Sequence, residues 1–214
     1  MRYAAWRKKM VEEQVVARGI TDPRIVAAMI EVPRHFFLDS ALAEQAYGDH
    51  SLPIGEGQTM TQPYVVAFLL DQLRLSGRER VLEIGMGSGY LTALLSRLAE
   101  RVYAVEKYRS LAILARQRLE RQDCHNVVVK IFDGTYGWSD EAPFDAIVVS
   151  AAARVPPKPL LEQLRPGGVM MLPLEEEDRQ QYLCRITRED EKKFRREKLI
   201  PCKFVKLVGR YGSQ

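Results

Sequence analysis

The sequence predicts an α/β fold. We expect a doubly wound, mostly parallel sheet with helices on both faces, a helical segment before it and an antiparallel hairpin after it. Three observations carry that expectation. From Arg80 onward, short apolar runs alternate with helical patterns, the spacing of parallel βαβ units. The stretch VLEIGMGSGY, residues 81–90, reads as a buried strand entering a glycine turn and then a helix N-terminus. Near the end, YLCRITR alternates apolar and polar residues as an antiparallel strand does.

The chain has 214 residues, 46% hydrophobic and 28% charged, a composition suited to one globular domain with a substantial core. We expect a single domain over 1–214, with a helical part, 1–78, and a sheet with its terminal hairpin, 79–214. No apolar run approaches the ~20 residues that cross a bilayer, and MRYAAWRKKMVEEQ lacks a secretory core. A cytoplasmic protein without membrane contact is expected. Cys124, Cys184 and Cys202 are scattered, with no metal-ligand spacing, so reduced thiols and no metal are expected. The net charge of +4 does not by itself indicate nucleic acid.

Residues 6–18 place Trp6, Met10, Val11 and Val15 at helical spacing before Gly19. Asp22 and Pro23 open a second helix as N-cap and first helical residue. In PRHFFLD, Phe36 and Phe37 are expected in the core, with His35 a satisfied polar neighbour. A helical piece at 40–47 leads into 48–60, whose LPIGEGQT stretch suits an irregular functional loop. The next helix starts at Thr61-Gln62-Pro63 and runs to about Leu73. Strands at 80–84, 102–105, 127–131, 144–149 and 169–172 then alternate with helices at 90–98, 110–121 and 160–164. YLCRITR and CKFVKLV, either side of the basic run KKFRREK, are expected to form the terminal hairpin, its charges guarding the sheet edge.

Gly85, Gly87 and Gly89 do not match the dinucleotide G-x-G-x-x-G pattern, because Tyr90 stands where its third glycine belongs. Glu83, Glu106 and Asp133 stand at or just past the carboxyl ends of successive strands, where open parallel sheets bind ligands. Glu106 can accept hydrogen bonds from both ribose hydroxyls of an adenosine, and Asp133 can meet the exocyclic amine of adenine. With the glycine turn, these acids point to an adenosyl ligand. The loop GEGQTMTQP carries Thr59 and Thr61. Thr61 reads equally as a helix N-cap and as a hydroxyl offered to a substrate beside the ligand.

The string E-x-G-x-G-x-G, starting at Glu83, resembles motif I of the S-adenosylmethionine-dependent methyltransferases. With GQTMTQP, AVE, the DG of FDGTYGW, APFDAIVVSAA and LRPGG, most of the chain resembles the protein-L-isoaspartate O-methyltransferases. The resemblance implies the Rossmann-like sheet of class I methyltransferases. It also implies S-adenosylmethionine as methyl donor and isoaspartyl proteins and peptides as substrates, repaired through a succinimide. A monomer with no nucleic-acid partner is expected. By the same resemblance, S-adenosylmethionine lies against Gln58, Thr59, Glu83, Gly85, Gly87, Ser88, Gly89, Glu106, Lys107, Asp133 and Gly134. The peptide lies against Ile54, Gly55, Thr61, Val205 and Val208, with Thr61 as the catalytic residue. Met60-Thr61 stands where the family reads Ile-Ser, Met86 where threonine is usual, and Lys206 where the family has proline.

Other readings meet objections in the sequence. An RNA methyltransferase on the same fold is favoured by the basic balance and KKFRREK, but that run is not interleaved with stacking aromatics. An oxidoreductase conflicts with the glycine spacing, and a non-catalytic binding module with the retained Thr61 hydroxyl.

Overall fold

A computed structural model describes residues 2–212 of the chain. Helix α1 spans Arg2–Met10, widens into a π-helical turn at Val11–Val15 and tightens at Val16–Arg18. Gly19 ends it at φ 91°, a conformation that costs glycine nothing. The expected helix is thus present, though it starts earlier and is irregular. Helix α2, Pro23–Glu31, opens as expected, with the Asp22 carboxylate accepting from Arg24 N at 2.8 Å. Short 3₁₀ turns follow at Arg34–Phe37 and Ser40–Gln45. Phe37 is fully buried and Phe36 half-buried. His35 is stacked on Tyr3 and lies 2.6 Å from the Tyr47 hydroxyl.

The expected irregular loop is instead partly a hairpin. Strands β1, Leu52–Gly55, and β2, Gln58–Met60, pair antiparallel through Glu56 and Gly57, at φ 52° and 67°. Positive φ at both central residues is the turn that matches strand twist; Glu-Gly is a weaker signal for it than Asn-Gly or Asp-Gly. Helix α3, Pro63–Leu73, is preceded by Gln62 as its N-cap. The capping reading of Thr61 therefore fails, because Thr61 sits one residue too early.

The large sheet contains β3 (Arg80–Ile84), β4 (Arg101–Glu106), β5 (Val127–Ile131), β6 (Phe144–Val149), β7 (Leu164–Glu175), β8 (Gln181–Arg188) and β9 (Phe194–Cys202). Its order is β5-β4-β3-β6-β7-β8-β9, the first five parallel and the last two antiparallel. Helices α4 (Tyr90–Leu98), α5 (Arg109–Glu120) and α6 (Lys158–Gln163) make the crossovers. Alternate residues face opposite sides. Val81, Val102 and Val148 pack with the N-terminal helices, while Leu82, Ile84 and Ile147 pack on the other face. The chain reverses direction of sheet growth between β3 and β6, a switch point where such sheets bind ligands.

The last strand is shifted from its expected place. FRREKLIPC pairs with β8, whereas CKFVKLV mostly leaves the sheet. Charge explains the choice: on β9, Arg195 reaches Glu189 at 3.3 Å, and Glu197 pairs with Arg185 of β8 at 2.9 Å. The departing segment then crosses the carboxyl ends of the parallel strands. There, Ala152 N donates to Val205 O at 2.7 Å and Leu207 N to Ala152 O at 2.8 Å.

Candidate active site

A cleft enclosing about 850 Å³ of empty space, open solvent at its mouth included, lies over β3, β4 and β6 at their carboxyl ends. Its floor is the glycine turn. Gly85 N donates to Val105 O at 2.9 Å, and Ser150 N to Ile84 O at 2.9 Å, tying the turn to strands on both sides. Gly87, at φ 54°, would bring a Cβ within 3.0 Å of Ile54 Cδ1, so hairpin β1–β2 packs against bare main chain.

Of the residues expected at the site, Ile54, Gln58, Thr59, Thr61, Glu83, Gly85, Gly87, Ser88, Glu106, Lys107, Gly134, Val205 and Val208 line this cleft. Gly55, Gly89 and Asp133 are not on its wall. Gly55 sits at the irregular end of β1. Gly89 is the N-cap of α4 at φ 88°, where a Cβ would meet Ala115 Cβ at 3.2 Å; it lets α4 and α5 approach. Asp133 turns towards the chain end: Oδ2 accepts from Arg210 N at 2.8 Å, and Oδ1 from Thr135 N and Oγ1 at 2.9 and 2.7 Å. Burial opposes its ionisation, but these donors and nearby Lys107 hold its carboxyl below the usual range. Its neighbour Gly134 reaches the cleft.

Two acids of the cleft differ sharply. Glu106 is 4% exposed, yet Oε2 accepts from Gly87 N at 2.7 Å and Oε1 from Tyr108 N at 2.9 Å. It clamps the glycine turn from the neighbouring strand, and each oxygen keeps a second lone pair for a ligand hydroxyl. Glu83 is fully buried, and neither of its oxygens has a hydrogen-bond partner among the described residues. Burial pushes its carboxyl up to about 8, with the Thr92 hydroxyl opposing and the Glu106 carboxylate adding to the rise. A buried carboxyl without a partner fits a ligand that brings a cation, because an adjacent opposite charge restores the ionised form.

Thr61 stands half-buried on the cleft wall between β2 and α3, with no hydrogen bond to its hydroxyl among the described residues. The sequence reading missed Ser150, Tyr108 and Lys206, which also line the cleft. Ser150 was findable, since it follows β6 at the switch point; Lys206 depends on the path of the chain end. No group of three or more His, Cys, Asp and Glu among the described residues is placed to hold a metal ion. Cys202 is a free, half-buried thiol, pushed up to about 12 chiefly by burial.

Residues 5–212 match the sequence model of a family described as Protein-L-isoaspartate(D-aspartate) O-methyltransferase. A relative from Geobacter metallireducens, named Protein-L-isoaspartate O-methyltransferase, is 52% identical over 212 residues, covering 99% of this chain and 98% of the relative. A solved structure of that name aligns with a TM-score of 0.87 at 29% identity, covering 96% of this chain and 67% of the other. A Plasmodium falciparum structure assigned the same activity, in complex with S-adenosyl-L-homocysteine, aligns with a TM-score of 0.82 at 25% identity, covering 94% of this chain and 98% of the other.

Proposed function

The chain belongs to the protein-L-isoaspartate(D-aspartate) O-methyltransferase family, and on that premise we propose how its own residues carry out the reaction. The enzyme methylates isoaspartyl residues at the expense of S-adenosylmethionine, an activity of protein repair. The observation that carries our assignment is Glu83: a buried carboxyl with no cationic partner among the described residues, at the foot of the glycine turn.

When bound, S-adenosylmethionine supplies an electrophilic methyl group on a sulfonium. Glu83 would meet the ammonium of its amino-acid end, Glu106 would accept from the ribose hydroxyls, and Gly85, Gly87 and Ser88 would offer main chain beside them. Gln58 and Thr59 line the cleft from β2, and Lys107 and Gly134 line it too. Asp133 acts through Gly134 and the chain end it holds, and Gly89 by setting α4 in place.

On the substrate side, no base is required. An α-carboxyl group has a pKa of roughly 3.3–3.7 and is ionised at neutral pH. Thr61 donates its hydroxyl hydrogen to that carboxylate and aims the free oxygen at the methyl group; it forms no covalent bond. Rate enhancement then comes from proximity and alignment. Ile54 and Gly55 on one side, and Val205 and Val208 on the other, form the walls between which an extended peptide lies by main-chain hydrogen bonds, tolerating many side chains. The product ester leaves the enzyme. The next backbone nitrogen attacks its carbonyl, methanol departs, and the resulting succinimide opens in part to normal aspartate.

We place this single-domain chain, 1–214, in the cytoplasm as a monomer that acts on isoaspartyl proteins and peptides without nucleic acid. Free thiols at Cys124, Cys184 and Cys202 suit a reducing compartment. The basic run invoked for RNA is engaged elsewhere: Lys193 and Arg195 with Glu189 at 2.7 and 3.3 Å, and Arg196 with Glu176.

The test uses one peptide in two linkages. Only an isoaspartyl linkage puts a free α-carboxylate in mid-chain at the depth of Thr61. A normal aspartyl carboxylate hangs on a shorter, differently directed branch, and a misplacement of about 1 Å can cost on the order of a hundredfold in rate. With labelled S-adenosylmethionine, the isoaspartyl peptide should gain base-labile label and its aspartyl twin almost none. Equal labelling of the two, or base-stable label appearing only with RNA, would refute this assignment.

A further inference from the structure

Resting on that reading, the outer wall of the cleft carries a second recognition element. Residues 203–208 are held in place from three sides. The Gln181 side chain accepts from Phe204 N at 2.7 Å and donates to Phe204 O at 3.2 Å. Ala152 brackets Val205 and Leu207, and Lys107 Nζ reaches Val208 O at 3.5 Å. Lys206 stands in the middle of this pinned stretch, exposed and on the cleft wall. Its ammonium has no acidic partner among the described residues.

Its surroundings sharpen the point. Some cations of the same region are paired, Arg154 with Glu175 at 3.6 Å and Arg185 with Glu197 at 2.9 Å. By contrast, 198–210 contains Lys198, Lys203, Lys206 and Arg210 and no acid at all. A cation on a pinned backbone at a cleft wall, without an acidic partner among the described residues, is a receptor for an anionic group of whatever enters the cleft.

We propose that Lys206 selects isoaspartyl peptides that carry an acidic side chain beside the damaged residue. The reacting carboxylate is not its partner: Thr61 is half-buried whereas Lys206 is exposed, so a carboxylate delivered to Thr61 lies inside the rim. The neighbouring side chain of an extended peptide remains at the rim, within reach of a lysine. Such rim charges act mainly on the rate of encounter and on register, and salt weakens them.

The experiment compares isoaspartyl peptides that differ at the flanking positions only: glutamate on either side, or glutamine in its place. The readout is the ratio of kcat/KM for the acidic to the neutral peptide, measured for wild type, Lys206→Met and Lys206→Arg at low and high salt. An exposed ion pair predicts a wild-type ratio of roughly two- to fivefold at low salt. The ratio should approach one at high salt and in Lys206→Met, and persist in Lys206→Arg. A ratio of one in wild type, or an undiminished ratio in Lys206→Met, overturns the proposal. Failure of wild type to methylate even the neutral isoaspartyl peptide overturns the activity assignment, and this proposal with it.

Discussion

Thr61 shows how one residue changes meaning once its neighbours are placed. Gln62 supplies the N-cap of α3, and the Thr61 hydroxyl bonds to nothing among the described residues. Thr61→Val therefore removes a hydroxyl without removing a cap. The ~1 kcal/mol that a lost cap costs should be absent, and the melting temperature should hold. Turnover is a different matter. A hydrogen bond to a charged group is worth ~1.5–3 kcal/mol, so turnover on an isoaspartyl peptide should fall roughly ten- to a hundredfold. Cofactor affinity should stay nearly constant, and Thr61→Ser should keep or raise turnover. A large drop in melting temperature with unchanged turnover would assign Thr61 a structural role alone.

At the scale of elements, the glycine turn and the β1–β2 hairpin form one unit. Gly87 N is bound by Glu106, and the missing Gly87 Cβ leaves space for Ile54 of β1. In Gly87→Ala, the left-handed backbone costs about 1–2 kcal/mol, and the new methyl pushes on Ile54 inside the cleft. Gly89→Ala meets a similar backbone cost, at φ 88°, but its methyl presses on Ala115 of α5, outside the cleft. Both variants should melt earlier, whereas calorimetry should show a marked loss of S-adenosylmethionine affinity in Gly87→Ala only. Equal affinity losses would mean that the turn senses helix packing as strongly as it senses the hairpin.

For the molecule as a whole, the buried Glu83 couples stability to pH. A carboxyl in the unfolded chain titrates near ~4.3, whereas Glu83 in the fold is pushed up to about 8. Between those values the native state holds a proton that the unfolded state has lost. Stability of the protein without cofactor should therefore fall as pH rises across this window, and level off above about 8. Glu83→Gln cannot titrate and should lack that slope, so the difference between the two denaturation curves isolates the group. At about pH 7, the cofactor's ammonium should draw the proton off Glu83 as it binds, releasing it to buffer. Calorimetry in buffers of different ionisation enthalpy should detect that release in wild type and not in Glu83→Gln.

The sequence by itself determined the sheet and most of the cleft. Strands such as Val127–Ile131 and Phe144–Val149 were legible to the residue because each is a short, mainly apolar run between turn residues. Glu83, Gly85, Gly87 and Glu106 were legible because a parallel sheet always offers its carboxyl ends to a ligand, and these residues lie there in the chain. The tertiary structure decided the rest, in each case through a partner distant in sequence. Asp133 turns from the cleft to meet Arg210 N, 77 residues on. Gly89 serves Ala115, and the edge strand forms from FRREKLIPC because its charges find Arg185 on the strand beside it and Glu189 just past that strand's end. CKFVKLV reads as a strand from its apolar content, but lies across the sheet ends instead, where it brings Lys206 to the cleft. Pattern and propensity act over a few residues, whereas pairing, charge and close approach are settled only when separate segments compete for the same space.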